Sequence, residues 1–266
     1  MNRFEIIQLP SKYISEKAAI KFKLASKDLR LLKQKLQVNN ICIRGGFIID
    51  TLIGKNPKDI DIFYISQNAL STQKESCICD SFKNTYLTLK NDLSLISNYE
   101  IDWGHYGKNE LVLPLVECIC GYLTQSLDFL SLFVLDINGK VWTNKYGLYC
   151  FQNQIWEITP MTWMTYSHFM ADKPVDFYDL YTGICLKVIR HIKEGKANKI
   201  GPMTKELLEN FHYVLQKIKP ESERGKNIVG RFNKNELSLV DLKKILAILE
   251  IETSELIMIQ FSRIIG

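Results

Sequence analysis

Several features are missing from this 266-residue chain, and each absence removes a class of protein. No apolar run reaches the roughly 18 to 20 residues of a membrane span. The N-terminal Met1-Asn2-Arg3-Phe4-Glu5 lacks the layout of a signal peptide, so a cytoplasmic protein with no membrane partner is expected. The seven cysteines are odd in number and show no C-x-x-C spacing; the C-x-C pairs Cys77/Cys79 and Cys118/Cys120 do not match a zinc site. Reduced core thiols are expected rather than a disulfide framework. His105, His168 and His191 are isolated, which argues against a histidine metal site. There is no internal repeat and no low-complexity segment.

What is present reads as an ordinary globular protein. With 46% hydrophobic and 24% charged residues, the chain can bury a substantial core, enough for one large or two small domains. Its formal net charge is +5, modestly favourable to polyanionic partners.

The run from Ile41 to Ile65 carries the most information. An apolar strand (Ile41 to Ile43) leads into Arg44, Gly45 and Gly46. The segment Phe47 to Ile53 then predicts a short helix ended by Gly54, followed by Lys58 and the strand Asp59-Ile60-Asp61-Ile62. Side chains alternate across a strand, so Asp59 and Asp61 share one face while Ile60 and Ile62 turn to a core. Two carboxylates so placed repel each other unless a cation lies between them. Mg²⁺ suits such a site, because it takes hard oxygens from one or two carboxylates and completes its shell with water and substrate phosphates. Gly45 and Gly46 allow a sharp turn and the close approach of a triphosphate, with the helix N-terminus adding partial positive charge.

This segment resembles the head of the DNA polymerase β-like nucleotidyltransferase superfamily. The branch is that of bacterial poly(A) polymerases and class II CCA-adding tRNA nucleotidyltransferases, with the pattern GGxxRDxLLGxxxxDxD. Gly45, Gly46, Asp50, Leu52, Ile53, Gly54, Asp59 and Asp61 fall on it. Ile49 stands where the family has Arg, and the nearest basic group is Arg44.

The resemblance implies a third carboxylate on a neighbouring strand. Leu127 to Trp142 predicts a strand, an Asn-Gly turn and a second strand, similar to the family's RRDFTINAL segment, with Asp128 in the Asp position and Ser126 and Leu127 in place of the arginines. Variants with a single Asp after an apolar residue occur in viral and phage-type enzymes. Asp128 is therefore the first candidate for third metal ligand and Asp102, in Tyr99-Glu100-Ile101-Asp102-Trp103, the second. Asp136 is expected only to cap the hairpin turn.

Around this head, residues 12 to 36 predict one or two surface helices with a basic outer face. Leu111 to Leu123 fits either a helix interrupted by Pro114 or a buried strand pair. From Thr159 onward strand signals fade, and Phe177 to His191, Lys205 to Ile218 and Leu239 to Leu249 carry helical apolar stripes. The expectation is an α+β chain: a head with N-terminal helices over 1–158 and a helical domain over 159–266.

The implied activity is Mg²⁺-dependent nucleotidyl transfer from ATP or CTP to an RNA or tRNA 3′ end. Two ions would be held by Asp59, Asp61 and Asp128, and Mn²⁺ could replace Mg²⁺. Candidate substrate contacts are Arg44, Gly45, Gly46, Asp50, Lys58, Lys187 and Arg190. Lys187, Arg190, His191, Lys193, Lys196 and Lys199 form a basic cluster that reads equally as a phosphate-binding patch or a solvated face. Trp103, Tyr106, Trp163 and Tyr166 are candidates for base stacking or for the core. The CCA enzymes' base-selecting Glu-Asp-x-x-Arg is not seen in the helical part, which leaves a protein acceptor and a degenerate RNA-binding homologue as alternatives.

Overall fold

The computed structural model describes residues 5–66, 83–105, 128–160, 162, 176–234 and 236–265. The chain divides into two compact units. Unit 1 comprises Met1–Ser126 and Leu130–Tyr149; unit 2 comprises Leu127–Phe129 and Cys150–Gly266. Leu111 to Leu123, Tyr106, Trp163, Tyr166, His168 and the two C-x-C pairs lie outside the described residues.

Unit 1 is built on a six-stranded sheet. Its strands are β1 (Ile6–Gln8), β2 (Val38–Arg44), β3 (Asp59–Ser66), β4 (Glu100–His105), β5 (Val134–Leu135) and β6 (Val141–Asn144), in the spatial order β1-β6-β5-β2-β3-β4. All neighbours run antiparallel except β3 and β4, which are parallel. A parallel pair needs a crossover, and a helix over residues 83–89 (α3) lies in it.

The alternation expected of β3 is present. Ile41, Ile43, Ile60, Ile62 and Tyr64 are buried, while Arg44, Asp59, Asp61 and Phe63 are not. Two helices cover the apolar face: α1 (Glu16–Leu36) and α2 (Gly46–Leu52). Phe22 of α1 meets Phe47 of α2 edge to face with ring centroids 6.4 Å apart, and Phe47 meets Tyr99 in the same way at 5.8 Å. Burying each such side chain contributes about 1.5–3 kcal/mol. Helix α1 begins where Ser15 accepts a hydrogen bond from the Ala18 amide and ends at Gln37 in the left-handed conformation.

One charged residue of α1 belongs to the core. Asp28 is 1% exposed, and its carboxylate accepts hydrogen bonds from the Ser94, Leu95 and Ile96 amides at 2.8, 2.7 and 2.9 Å. It thereby fixes the chain that enters β4. Replacing Asp28 by Ala leaves those amides without their acceptor, so a stability loss of about 2–4 kcal/mol is expected. Urea unfolding of the variant measures it, and a loss below about 0.5 kcal/mol would refute this role.

The predicted hairpin is shorter than the pattern implied. Only Val134–Leu135 and Val141–Asn144 pair, and residues 129–131 form a turn. The physical reason lies in Asp128, which bridges to Ile158 in unit 2 rather than extending β5. Asp136 does cap the turn. Its carboxylate accepts from the Asn138 and Lys140 amides at 2.8 and 2.9 Å and from Trp142 Nε1 at 3.0 Å.

Among its described residues, unit 2 is helical apart from the Asp128–Ile158 bridge and one short parallel pair, β7 (Ile155–Trp156) with β8 (Lys199–Ile200). After α4 (Lys145–Gln152), which spans the division, come α5 (Asp176–Lys193), α6 (Pro202–Glu209), α7 (Phe211–Gln216), α8 (Glu223–Lys234), α9 (Leu239–Ile248) and α10 (Ser254–Ile265). The Lys205 to Ile218 stripe is thus two helices meeting at Asn210. Buried Glu157 ties β7 to α6, where Gly201 is the N-cap and offers no side chain. The Glu157 carboxylate accepts instead from Thr204 N and Oγ1 at 2.9 and 2.6 Å. A Cβ on Gly201 would lie 1.8 Å from Glu157 Oε2, so a side chain there would displace the Glu157 carboxylate. Burial raises the Glu157 pKa, while these hydrogen bonds oppose the shift. Cys150 and Cys185 are buried thiols, and burial pushes the pKa of each upward. Among the described residues, no helix is long and apolar enough to cross a membrane.

Candidate active site

The sheet register assembles a polar row on its open face. Arg44 of β2 pairs with Asp61 of β3, and Asp61 pairs with Asp102 of β4. Directly paired residues point to the same face, with neighbouring strands ~4.8 Å apart, so Arg44, Asp61 and Asp102 stand side by side. Asp59 lies two residues from Asp61 on that face, opposite Glu100. Asp59, Glu100 and Asp102 are exposed and Asp61 is half-buried. Four carboxylates therefore share one open sheet surface.

Arg44 is the cation beside them. Its guanidinium lies over the Phe63 ring, 3.0 Å from the centroid, an arrangement that steadies a planar cation while leaving its edge to face oxygens. The next residue, Gly45, has φ 67° and ψ −125°, a conformation that disfavours any side chain. Its amide donates to the Phe133 carbonyl at 3.0 Å, and its own carbonyl accepts from Ile48. The turn places Gly46 at the first position of α2, where an added Cβ would meet nothing within 4 Å. Asp50 and Ile49 are buried in α2. Position 49 is thus a core position here, and the basic group of this site is Arg44. Lys58 is exposed immediately before β3.

Asp128 lies on none of these strands. It belongs to unit 2, is 0% exposed, and accepts from Lys187 Nζ at 2.6 Å. The expected set of Asp59, Asp61 and Asp128 is therefore not collected on one sheet; the register groups Asp102 with Asp59 and Asp61. The signal was in the sequence, since Glu100-Ile101-Asp102 repeats the every-second-residue spacing of Asp59-Ile60-Asp61. What the sequence did not give was the register between the two strands.

The basic cluster of α5 is tied internally. Lys187 pairs with Asp128; Arg190 Nε approaches Glu194 at 3.9 Å; Lys193 pairs with Asp241 at 3.0 Å and donates to the Glu236 carbonyl; Lys196 pairs with Glu194 at 3.0 Å. Lys199 is exposed on β8. His191 has a core role. Trp156 Nε1 donates to its Nδ1 at 2.9 Å, so that nitrogen must accept and a neutral ring carries its proton on Nε2. Burial first, then the Lys187, Lys196 and Arg190 charges, hold its pKa well below the ordinary value. The side chains of Trp103 and His105 lie outside the described residues.

An all-oxygen donor set on an open surface fits a hard cation such as Mg²⁺. Among the described residues, no three His, Cys, Asp or Glu side chains are grouped closely enough to hold a metal ion by themselves.

No protein-family model matches the chain, and no curated protein matches it in sequence. Solved structures do match in fold. The Thermotoga maritima CCA-adding enzyme complexed with tRNA is 18% identical with a TM-score of 0.51, over 97% of this chain and 55% of that one. A CCA-adding enzyme in complex with ATP is 14% identical with a TM-score of 0.54, over 91% and 55%. A tRNA-processing enzyme with CTP is 14% identical with a TM-score of 0.53, over 88% and 57%. The chain spans about half the length of these proteins. It thus shares a mixed α+β fold with these CCA-adding enzymes, as the resemblance of its Gly-Gly and Asp-x-Asp segments implied.

Proposed function

We propose that the chain is an Mg²⁺-dependent nucleotidyltransferase that moves a nucleoside monophosphate from ATP or CTP to an acceptor hydroxyl, most simply an RNA or tRNA 3′ end. The observation that carries this reading is the row of Asp59, Asp61 and Asp102 on one open sheet face, beside the Gly45 turn. Such a surface holds charge where an attacking hydroxyl and a transferring phosphate must meet, and catalysis of this kind rests on position and electrostatics. Solved proteins of the same fold are described with tRNA, CTP and ATP, which supports the nucleotide and RNA parts of the reading.

In this mechanism the acceptor oxygen attacks the α-phosphorus, and the bond to the pyrophosphate leaving group breaks in line with it. Asp59 and Asp61 would hold Mg²⁺, with Asp102 as third carboxylate in place of Asp128; Mn²⁺ would suit the same oxygens. Bound there as a pair, the ions would supply Lewis-acid activation of the hydroxyl and charge neutralisation at the leaving group. Arg44, held against Phe63, would meet the β and γ phosphates, and the α2 N-terminus behind Gly45 and Gly46 would add partial positive charge. Asp50, being buried, supports α2 rather than touching substrate.

Incubating the pure chain with each labelled NTP and Mg²⁺, alongside total RNA or cell lysate, tests the proposal. Label in RNA is the expected result. Label in protein would move the acceptor to a polypeptide, and no label under either condition would overturn the enzymatic reading.

A further inference from the structure

The protein's net charge is concentrated on one helix. Helix α1 carries Lys17, Lys21, Lys23, Lys27, Arg30, Lys33 and Lys35 against Glu16 and Asp28, a balance of +5 that equals the formal net charge of the whole chain. The rest of the chain is electrically neutral. Asp28 moreover does not face solvent, being consumed by the three amides before β4. The exposed surface of α1 therefore sets seven cations against Glu16 alone.

The contrast with α5 is informative. There the cations meet the carboxylates of Asp128, Glu194 and Asp241. On α1, none of Lys17, Lys21, Lys23, Lys27, Lys33 and Lys35 has a carboxylate partner among the described residues. Lys17, Lys23, Lys27, Arg30 and Lys35 are exposed, and Lys21 and Lys33 half-exposed. At the helix's C-terminal end, Arg30, Lys33, Gln34, Gln37 and Val38 line a shallow depression of about 440 Å³, with cations and amide donors suited to phosphate oxygens.

We propose that this face of α1 is a docking surface for the phosphate backbone of a double-stranded RNA segment. Its 21 residues extend about 32 Å, comparable to the length over which a duplex presents many regularly spaced phosphates. A lipid surface is the weaker match. An interfacial helix needs an apolar stripe to insert, and that of α1 (Ala18, Phe22, Ala25, Leu29, Leu32) is buried against the sheet and α2, leaving Ile20 as its one exposed large apolar residue. The surface is also separate from the proposed reaction centre, because α1 packs on the apolar side of the sheet while the carboxylates occupy the other. It would hold the body of an RNA rather than its reacting end, a role that deepens the proposed function without depending on catalysis.

The test is direct binding of a fluorescently labelled RNA hairpin to the full chain across a salt series, without NTP or Mg²⁺. The variant combines Lys17→Gln, Lys21→Gln, Lys23→Gln and Lys27→Gln; a charge-matched control combines Lys193→Gln, Lys196→Gln, Lys199→Gln and Lys205→Gln. Each lost phosphate contact should lower the slope of log affinity against log salt by about 0.7–0.9, so the fourfold variant is expected to flatten it by about 3 while the control stays near wild type. Anionic phosphatidylserine vesicles form a parallel arm. An unchanged slope in the fourfold variant, an equal loss in the control, or a loss confined to vesicle binding would overturn the proposal. RNA binding by a chain inactive in the labelled-NTP assay would overturn the enzymatic reading and leave this surface standing.

Discussion

Asp61→Asn is expected to lower nucleotidyl transfer by ~10³-fold, the equivalent of about 4 kcal/mol of transition-state stabilisation, with no loss of thermal stability. Asp61 stands at the centre of the polar row, between Arg44 and Asp102, and is half-buried. Replacing it removes the donor best placed to hold a cation and relieves repulsion from Asp59 and Asp102, so the fold should be as stable as before or slightly more so. Asp59→Asn should behave alike. Steady-state transfer and a thermal melt of each variant are sufficient. A variant that loses several degrees of melting temperature but keeps its activity would remove Asp59 and Asp61 from the chemistry.

Asp102→Asn and Asp128→Asn should separate activity from stability. Asp102 is exposed and in register with Asp61, so its variant is expected to lose transfer by ~10²-fold or more and to need more Mg²⁺, with an unchanged melt. Asp128 is fully buried against Lys187. Its variant strands that ammonium, a change that costs about 3–5 kcal/mol when both groups are buried. Because Lys187 keeps 26% of its side-chain surface, about 2–3 kcal/mol is expected here. Measuring the Mg²⁺ dependence beside urea unfolding decides between the two residues. If the Asp128 variant loses transfer and keeps its stability while the Asp102 variant stays active, the third carboxylate is Asp128.

Much of unit 1 was legible because short-range rules governed it. The period-2 alternation of Asp59 to Ile62 fixed which side chains face the open side, and the Gly45 to Gly54 spacing fixed a turn and a short helix. The basic helix over residues 12 to 36 was equally plain. Asp28 was not, because nothing local distinguishes a buried carboxylate that collects three distant amides from the solvated charges around it. The partners of Asp128 were hidden for a related reason: its sequence neighbours are apolar and strand-like, while Lys187 and Ile158 are remote in the chain.

The sequence by itself determined that Asp59 and Asp61 share one strand face, the glycine turn and the basic character of α1, since these depend on residue type and spacing along a single element. Tertiary structure decided which carboxylate stands in register with Asp61 and which cations are paired. Strand register places Asp102 beside Asp61, and ion pairing joins Lys187, Lys193 and Lys196 to carboxylates while leaving the lysines of α1 facing water. Both outcomes depend on contacts between distant segments, which periodicity along one segment cannot encode.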